Sequence, residues 1–558
     1  MTTVGRPRNA LIILLRSAAT LSLPIAFCLF IIDKTQKSGF YTNSDALYFS
    51  RLAEDVFQRP WGLKSWVFQP VPDYIPSIPI YLVAQLVTFD FRRAITVAAL
   101  IQTCLFFGIG ILLYRRYRPG GEPLVWSICL IAVLALLISV DRVMGLGYSA
   151  SVYSWIFWMF LLNAHFGSLM VSLLCFYFSD RALRERLAWP AAAIFVCSVL
   201  GSLSDYFFLL IFTAPMVVVL LWLWLVSDVQ RRCLVTLAVT SVGGAIGYLL
   251  GLLVNHTAND YLKPFDVDRM SNSLHGLTTV FSNGGPEPLS ILMSNSLHGL
   301  TAAFSKGGPE PLSILVLALN LAVAVYAAIV LHGASRRCSR RPLNDIPFLD
   351  VFVLTSAGAS AAASIAVVVF GIFVDVWTLR YLNCVVFMPA IIAALLMTAL
   401  VEDLLARLAA TRRQMVLTVG AVLTVVSSTV LAAGTRIDLK PPNHSILACL
   451  EREKAVAGLA DYWNASPLIL FSHWKYQVVQ IGSDARPSYW MNNRAWVNHD
   501  WSDPERAPRY SFIVIGNLPL DRIVDAYGPP DRVISCDGTE IWFYDNIEEL
   551  TSRVLGRM

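Results

Sequence analysis

The chain has 558 residues with a mean hydropathy of +0.60, and hydrophobic residues make up 56% of it. Charged residues account for only 15%, against roughly 25% in soluble globular proteins, which excludes an ordinary soluble enzyme and predicts long segments in hydrocarbon. The net charge of +5 does not indicate a nucleic-acid partner, because the arginines lie in short clusters between apolar runs, where they set membrane topology.

Apolar runs of about the length that crosses a bilayer recur along the chain. We predict about eleven spans, at 10–32, 94–114, 122–140, 166–180, 188–204, 206–227, 233–254, 313–332, 348–372, 381–401 and 414–434. The first run follows Arg6 and Arg8, is long for the apolar part of a signal peptide and lacks a clear small-residue cleavage site. We therefore interpret it as an uncleaved anchor whose N-terminus lies in the cytoplasm.

Segment 75–90 is also apolar, and the positions of five arginine clusters decide how to interpret it. If 75–114 crosses the membrane once, all five clusters fall on the cytoplasmic side; if it crosses twice, all five fall outside. The positive-inside bias therefore favours an interfacial or re-entrant helix at 75–90. The clusters are Arg115, Arg116 and Arg118; Arg181, Arg184 and Arg186; Arg231 and Arg232; Arg336, Arg337, Arg340 and Arg341; and Arg407, Arg412 and Arg413.

This topology predicts a transmembrane domain over 1–434 and a soluble domain over 435–558, with the N-terminus inside and the C-terminus outside. The larger connecting pieces, at 33–93, 141–165 and 255–312, then lie on the outer face together with the short link 373–380. The cytoplasmic links are short. We therefore expect any chemistry on the outer side.

The C-terminal tail has the pattern of a small α/β domain. We predict an amphipathic helix at 449–463, a strand at 467–472, a strand at 509–516 and a helix at 520–528 that ends at Gly528. Segments 532–537 and 540–545 predict a hairpin around Gly538. About 120 residues suffice for one domain of this kind.

Cys449 and Cys536 are the two cysteines in the predicted external domain, whereas the other eight of the ten lie in or beside spans. A disulfide persists outside the cytoplasm. The sequence does not give the distance between the two, so a bridge and two separate buried thiols both stay open.

A tandem duplication covers 270–315. MSNSLHGLTTVFSNGGPEPLSIL at 270–292 is followed directly by MSNSLHGLTAAFSKGGPEPLSIL at 293–315. Two copies do not build a solenoid, which needs at least three, and the Gly-Gly-Pro-Glu-Pro stretches predict loop. His275 and His298 recur once per copy, and copying explains them better than a metal site does.

The 33–93 loop contains candidate catalytic residues. Asp45, Tyr48 and Arg51 lie at helical spacing just beyond the first span and would share one face. A carboxylate at the membrane surface can act as a general base toward a hydroxyl group. The alternative interpretation is an ordinary solvated helix.

Other charged residues lie at the predicted outer ends of the spans. Asp141 closes the third span, Asp205 sits between the fifth and sixth, and Arg380-Tyr381 precedes the tenth. Charges at membrane depth are costly and are functional candidates by default, whereas interfacial anchoring is the alternative for the tyrosine. An arginine here could hold a phosphate through paired, charge-assisted hydrogen bonds.

These features resemble those of the GT-C glycosyltransferases, which are integral membrane enzymes that use polyprenyl-phosphate sugars. The resemblance rests on the long first loop with Asp45, the Pro-rich stretch Phe68-Gln69-Pro70-Val71-Pro72-Asp73, Asp141, the late Arg380-Tyr381 pair and the C-terminal domain. It implies that Asp45 acts as base or binds the acceptor and that Arg380 binds phosphate. Two features differ: Ala46 stands where many members have a Glu, and the Lys-Pro-Pro that usually ends the loop is absent.

The resemblance implies transfer of a sugar from a polyprenyl-phosphate donor to a glycan, lipid or protein acceptor at the bacterial cytoplasmic membrane. Asp141 and Asp205, with Tyr48, Arg51 and Tyr381, would line the substrate site. No nucleotide-sugar motif or zinc spacing is visible, so we predict no cofactor and no nucleic acid, and leave a divalent metal open. A flippase or transporter for a lipid-linked glycan and a non-catalytic assembly or sensor protein are the alternatives.

Overall fold

The computed structural model describes residues 6–36, 40–57, 66–68, 71–143, 158–162, 164–185, 187–254, 271–273, 311–335, 342–370, 380–441, 444–493 and 508–557. Most of the tandem duplication at 270–315 lies outside these residues, as do most of 141–165 and all of the link 371–379. The predictions made for those segments stay predictions.

Helices dominate the described residues. In chain order they are α1 Arg6–Thr35, α2 Ser44–Phe57, α3 Ser77–Thr88, α4 Phe91–Tyr117, α5 Pro123–Val143, α6 Phe166–Arg184, α7 Trp189–Ser204, α8 Ala214–Val226, α9 Gln230–Val254, α10 Pro311–Ser335, α11 Phe348–Val369, α12 Asn383–Ala406, α13 Ala410–Gly434, α14 His444–Arg452, α15 Tyr462–Phe471, α16 Leu520–Tyr527 and α17 Ile547–Leu555. A π-helical turn, Leu209–Thr213, leads directly into α8.

The strands are short. They are β1 Trp66–Val67, β2 Ala457–Ala460, β3 Gln477–Gln480, β4 Asn492–Asn493, β5 Tyr510–Val514, β6 Arg532–Cys536 and β7 Thr539–Phe543. Apart from β1, all of them lie in the C-terminal tail, where the sequence predicts an α/β domain.

Each of the eleven predicted spans contains a helix. Nine helices within the described residues are long and apolar enough to cross a membrane, whereas Pro123–Ile138 and Trp189–Ser204 are apolar but shorter. The chain is thus a multi-pass membrane protein by helix length and composition. Segment 75–90 forms α3, whose 12 residues span about 18 Å, less than the roughly 30 Å of a hydrocarbon core.

The chain divides into two compact units. The first, which we call the helical unit, comprises Met1–Ile31, Val71–Ile80 and Ala98–Thr435. The second, which we call the mixed unit, comprises Ile32–Pro70, Tyr81–Val97 and Arg436–Met558. The C-terminal tail therefore shares its unit with most of the 33–93 loop, a grouping that the sequence does not predict.

In the helical unit, α9 packs closely on α7 because small residues line the contact. A Cβ on Gly247 would lie 2.2 Å from the Val199 carbonyl oxygen, and one on Gly243 would lie 2.9 Å from that of Phe195. Membrane helices associate through such small-residue faces, because lipid offers no hydrophobic drive between them. These glycines set the distance between the two helices.

Arginines of three clusters are held at one end of the helical unit by side-chain and backbone acceptors. The buried Asp180 near the end of α6 pairs with both Arg116 and Arg184. The other bonds join Arg118 to Glu402, Arg184 to the carbonyl oxygens of Leu343 and Ile346, and Arg232 to the carbonyl oxygen of Leu183. Glu402 lies shortly before Arg407 of the fifth cluster, so the described arginines of the first, second, third and fifth clusters lie close to this end.

A five-stranded sheet organises the mixed unit. Its strand order is β3-β2-β5-β7-β6, with β3, β2 and β5 parallel and β7 and β6 antiparallel additions. Apolar side chains of α16 and α17 cover one face, and those of α14 and α15 cover the other. A disulfide between Cys449 and Cys536 joins α14 to β6, which is the pair that the sequence singles out.

The strand at 509–516, the helix at 520–528 and the C-terminal hairpin are confirmed. Gly528 ends α16 with a φ of 85°. In the hairpin turn, Asp537 and Gly538 both adopt positive φ values, 54° and 84°, as a type I′ turn requires.

The predicted helix at 449–463 is wrong beyond Arg452, because Ala457–Ala460 form the central strand β2. Its residues are apolar and buried. Pairing with β3 on one side and β5 on the other overrides their intrinsic helix propensity. Gly458 leaves room for the Phe512 ring, which a Cβ would approach to 2.5 Å.

The predicted strand at 467–472 is also wrong, because it is the second half of α15. Asp461 caps this helix by accepting a hydrogen bond from the Asn464 amide. The apolar run is buried throughout, so it shows no helical periodicity, and short runs of this kind do not distinguish a strand from a helix.

We expect Gly247→Ala to destabilise the helical unit. The new methyl group would press on a backbone oxygen that cannot move cheaply, and overpacking of this kind costs about 1–3 kcal/mol. Gly420→Ala is the matched control, because nothing lies within 4 Å of a Cβ at that helical glycine. Thermal unfolding in detergent should show a lower midpoint for Gly247→Ala only. Equal midpoints would show that the α7–α9 contact tolerates the methyl group.

Candidate functional site

The buried Asp205 carboxylate is the centre of a polar cluster in the helical unit. Its Oδ2 accepts hydrogen bonds from His165 Nδ1 at 2.8 Å and from Ser168 Oγ at 2.5 Å. Its Oδ1 accepts one from the Phe207 amide at 2.8 Å. Asp205 is 1% exposed, and these three donors compensate for the loss of solvent.

The arrangement is not a nucleophilic serine relay. In such a relay the histidine accepts the serine proton, whereas here Ser168 and His165 both donate to the same carboxylate oxygen. A carboxylate has no proton to give, so the histidine Nδ1 is the donor. The cluster therefore fixes the tautomer and the orientation of the His165 ring.

The oriented His165 ring supports Tyr381, which in turn supports Arg380. The Tyr381 ring centroid lies 4.6 Å from that of His165 and 4.9 Å from that of Phe207. The Arg380 guanidinium carbon lies 5.4 Å from the Tyr381 ring centroid, within the range of a cation–π interaction. Arg380 is half-buried. The structure thus brings Asp205, Tyr381 and Arg380 together.

Polar bonds between loops hold this region of the helical unit. The Asn383 side chain, at the start of α12, donates to the Ala164 carbonyl oxygen at 2.5 Å. Ser204 Oγ bonds to the Ile75 backbone at 2.9 and 3.0 Å. Ile75, just after the Pro-rich stretch, therefore packs against the turn that carries Asp205.

Helix α6 shows that this cluster and the arginines paired with Asp180 lie at opposite ends of the helical unit. His165 directly precedes α6 and Ser168 lies in its first turn, whereas Asp180 and Arg184 lie in its last turns. The helix has 19 residues and is therefore about 28 Å long, close to the thickness of a hydrocarbon core.

Asp45 lies in the mixed unit, in the first turn of α2. Its Oδ1 accepts a hydrogen bond from the Tyr462 hydroxyl, on the first turn of α15. Ser44 Oγ donates to the Tyr462 carbonyl oxygen at 2.5 Å. Both Asp45 and Tyr462 are half-buried. The 33–93 loop and the C-terminal tail therefore meet at the proposed base.

Arg51 lies deeper in the mixed unit and is only 1% exposed. Its Nη1 donates to Ser466 Oγ at 2.6 Å, and its Nη2 donates to Asn492 Oδ1. Burial lowers the pKa of Arg51 to about 9 against the opposing charge of Asp55, so the guanidinium stays cationic at neutral pH. This burial favours a role in holding α2 on the tail over substrate binding.

Two further acidic residues of α2 take part in the same packing. The buried Asp55 accepts from Trp66 Nε1 at 2.7 Å and from Asn493 Nδ2 at 2.6 Å. Glu54 accepts from Trp474 Nε1 at 2.7 Å. Short strands β1 and β4 pair beside these bonds.

The two remaining residues proposed from the sequence are Tyr48 and Asp141. Tyr48 is wholly buried, with its ring 5.8 Å from that of Trp66, which indicates packing. The Asp141 side chain lies outside the described part of the chain, so its role stays a prediction.

Sequence reasoning missed His165, Ser168 and Tyr462. His165 appears in the sequence as a lone histidine at the edge of an apolar run, and its left-handed φ of 57° is a property of the fold. Tyr462 falls in a segment predicted as the end of a helix, and its partner lies 417 positions away. No local spacing signals either contact.

No protein-family model matches the chain, and no curated protein matches it. Among the described residues, no three His, Cys, Asp or Glu side chains form a group that could hold a metal ion. A functional assignment therefore rests on the residues themselves.

We expect Asp205→Asn to destabilise the helical unit, because the amide turns a donor toward groups that are themselves donors. A buried donor left without its acceptor costs about 1–3 kcal/mol. Asp350→Asn is the matched control, since Asp350 accepts one bond from the exposed Tyr326 hydroxyl at 2.8 Å. The thermal midpoint should fall clearly for Asp205→Asn and little for the control. Equal, small shifts would show that the cluster is not needed for stability.

Proposed function

We propose that this protein transfers a sugar from a polyprenyl-phosphate donor to an acceptor hydroxyl on the outer face of the bacterial cytoplasmic membrane. The arrangement of Arg380 is the observation that carries the proposal. Its guanidinium is half-buried at one end of an apolar bundle, over a tyrosine ring that a buried histidine–aspartate pair holds in place. A pre-oriented guanidinium suits a phosphate, because its planar fork matches two phosphate oxygens.

The topology that accompanies this proposal has eleven spans, with the N-terminus inside and the domain 435–558 outside. Its support is that the described arginines of the clusters meet at one end of the helical unit, whereas Arg380 lies at the other. Positive charge marks the cytoplasmic side. On this topology Arg380 faces the leaflet where a lipid-linked donor would present its sugar.

In the proposed reaction, an acceptor hydroxyl oxygen forms a bond to the anomeric carbon while the bond from that carbon to the phosphate oxygen breaks. The acceptor proton moves to a carboxylate base, and polyprenyl phosphate leaves with the electron pair. Negative charge grows on the leaving phosphate in the transition state, where a fixed cation is most effective. Arg380 fits the role of the fixed cation. For the base, the sequence predicts Asp45. No metal or cofactor is required for the atoms to balance.

The role of Arg380 in binding the phosphate is tested by substitution of this residue. Arg380→Ala should weaken binding of polyprenyl phosphate by about tenfold or more and lower turnover by about 10²–10³-fold. Arg380→Lys should recover part of the loss, because lysine keeps the charge but not the fork. Binding is measured with polyprenyl phosphate by the change in intrinsic tryptophan fluorescence. Turnover is measured with a panel of radiolabelled polyprenyl-phosphate pentoses and hexoses, using isolated membranes as the acceptor.

Arg412→Ala is the matched control, because Arg412 is an exposed arginine of the fifth cluster. It should leave both binding and turnover unchanged. Wild-type binding and turnover in Arg380→Ala would contradict the assignment of Arg380. Absence of transfer by the wild-type protein with every donor of the panel would contradict the function itself.

A further inference from the structure

We propose that Tyr462 is a positioning residue for Asp45, so that the C-terminal domain forms a working part of the acceptor side of the reaction. The inference rests on the proposed function. It gives the C-terminal tail the function of holding the general base in one orientation. The argument uses contacts within the mixed unit alone.

Two hydrogen bonds tie consecutive residues of α2 to one residue of α15. The Tyr462 hydroxyl donates to Asp45 Oδ1, and the Ser44 hydroxyl donates to the Tyr462 carbonyl oxygen at 2.5 Å. Together they fix both the carboxylate and the backbone turn that carries it. Met491 Sδ also lies 2.9 Å from the Tyr462 hydroxyl oxygen, but the carboxylate is the far stronger acceptor for the single hydroxyl proton.

The remainder of α2 is anchored to the same part of the tail. Two turns beyond Asp45, Arg51 donates to Ser466 on α15 and to Asn492 on β4. One turn further, Asp55 accepts from Asn493, the second residue of β4. These bonds are buried, so they hold the helix rigidly and leave Asp45 little freedom along the helix axis.

The start of α2, which carries Asp45, differs in solvent exposure from the part of the helix that is bonded to the tail. Arg51 and Asp55 are each 1% exposed, and Asn493 is wholly buried. Asp45 and Tyr462 are half-buried, so the start of α2 keeps some exposure to solvent, whereas Arg51, Asp55 and Asn493 have almost none. A fixed support beneath a partly exposed carboxylate is the arrangement that a general base requires, because proton transfer depends on a hydrogen bond of defined length and direction.

Tyr462 would therefore act through Asp45 and need not touch the substrate. The hydroxyl occupies one carboxylate oxygen and thereby sets where the other oxygen points. Without that bond the carboxylate loses one of the contacts that orient it, and a displacement of about 1 Å can cost about 10²-fold in rate. Binding of the lipid phosphate, which the proposed function assigns to Arg380, should not change.

The test compares Tyr462→Phe with Tyr527→Phe in the full-length protein. Both remove only a hydroxyl from a tyrosine of the same domain, and Tyr527 donates to the Ala485 carbonyl oxygen at 2.7 Å in its core. Tyr462→Phe should lower kcat about 10–100-fold, with the KM for the polyprenyl-phosphate sugar and the binding of polyprenyl phosphate unchanged. Tyr527→Phe should leave kcat unchanged. Size-exclusion chromatography and the thermal midpoint report the amount of folded protein.

A double-variant cycle separates positioning from a merely structural effect. Asp45→Asn should lower kcat about 10²–10⁴-fold. If Tyr462 acts through Asp45, adding Tyr462→Phe to Asp45→Asn should cause no further loss, because residues that act as one unit are not additive. A multiplicative loss in the double variant would overturn the inference.

The remaining outcomes are distinct from one another. A normal kcat in Tyr462→Phe beside an impaired Asp45→Asn overturns the inference and leaves the proposed function in place. Loss of folded protein in both tyrosine variants makes the hydroxyl bonds structural and overturns the inference as well. Full activity in Asp45→Asn removes the base and with it the role of Tyr462, whereas the Arg380 variants still decide the function.

Discussion

The Asp205 carboxylate is buried at the end of a helical bundle, where leaving the charge without partners would cost several kcal/mol. Three donors remove that cost, namely the His165 ring just before α6, the Ser168 hydroxyl in the first turn of α6 and the Phe207 amide. The need to satisfy this one group orders the residues before α6 and the turn before the π-helix. The His165 ring then supports Tyr381 and, through it, Arg380.

The same constraint organises the mixed unit. Arg51 and Asp55 are buried charges, and each is satisfied by polar groups from the C-terminal tail. Because these partners are far away in sequence, α2 has its polar groups satisfied only when the tail is folded against it. The 33–93 loop and the tail are thus one structural unit, although the sequence places them at opposite ends of the chain.

The sequence predicts the parts of the fold that depend on local periodicity and composition. Apolar runs locate a helix at each predicted span, and Asp537-Gly538 locates the hairpin. Prediction fails where burial on all sides removes the periodic signal, as in β2 and α15. The candidate site is predicted only in part, because Asp205 and Arg380 stand out as charges beside apolar runs. His165 and Tyr462 have no local signal and acquire their roles through contacts between distant segments.

The central claim is that Arg380 binds the phosphate of a lipid-linked sugar, and a structure of the purified protein with bound polyprenyl phosphate tests it most directly. Electron cryo-microscopy in lipid nanodiscs can locate the phosphate by its strong density. We predict phosphate density within hydrogen-bond distance of the Arg380 guanidinium, at the end of the helical unit that carries Asp205. Phosphate density at the opposite end, beside Arg116 or Arg118, would contradict the claim.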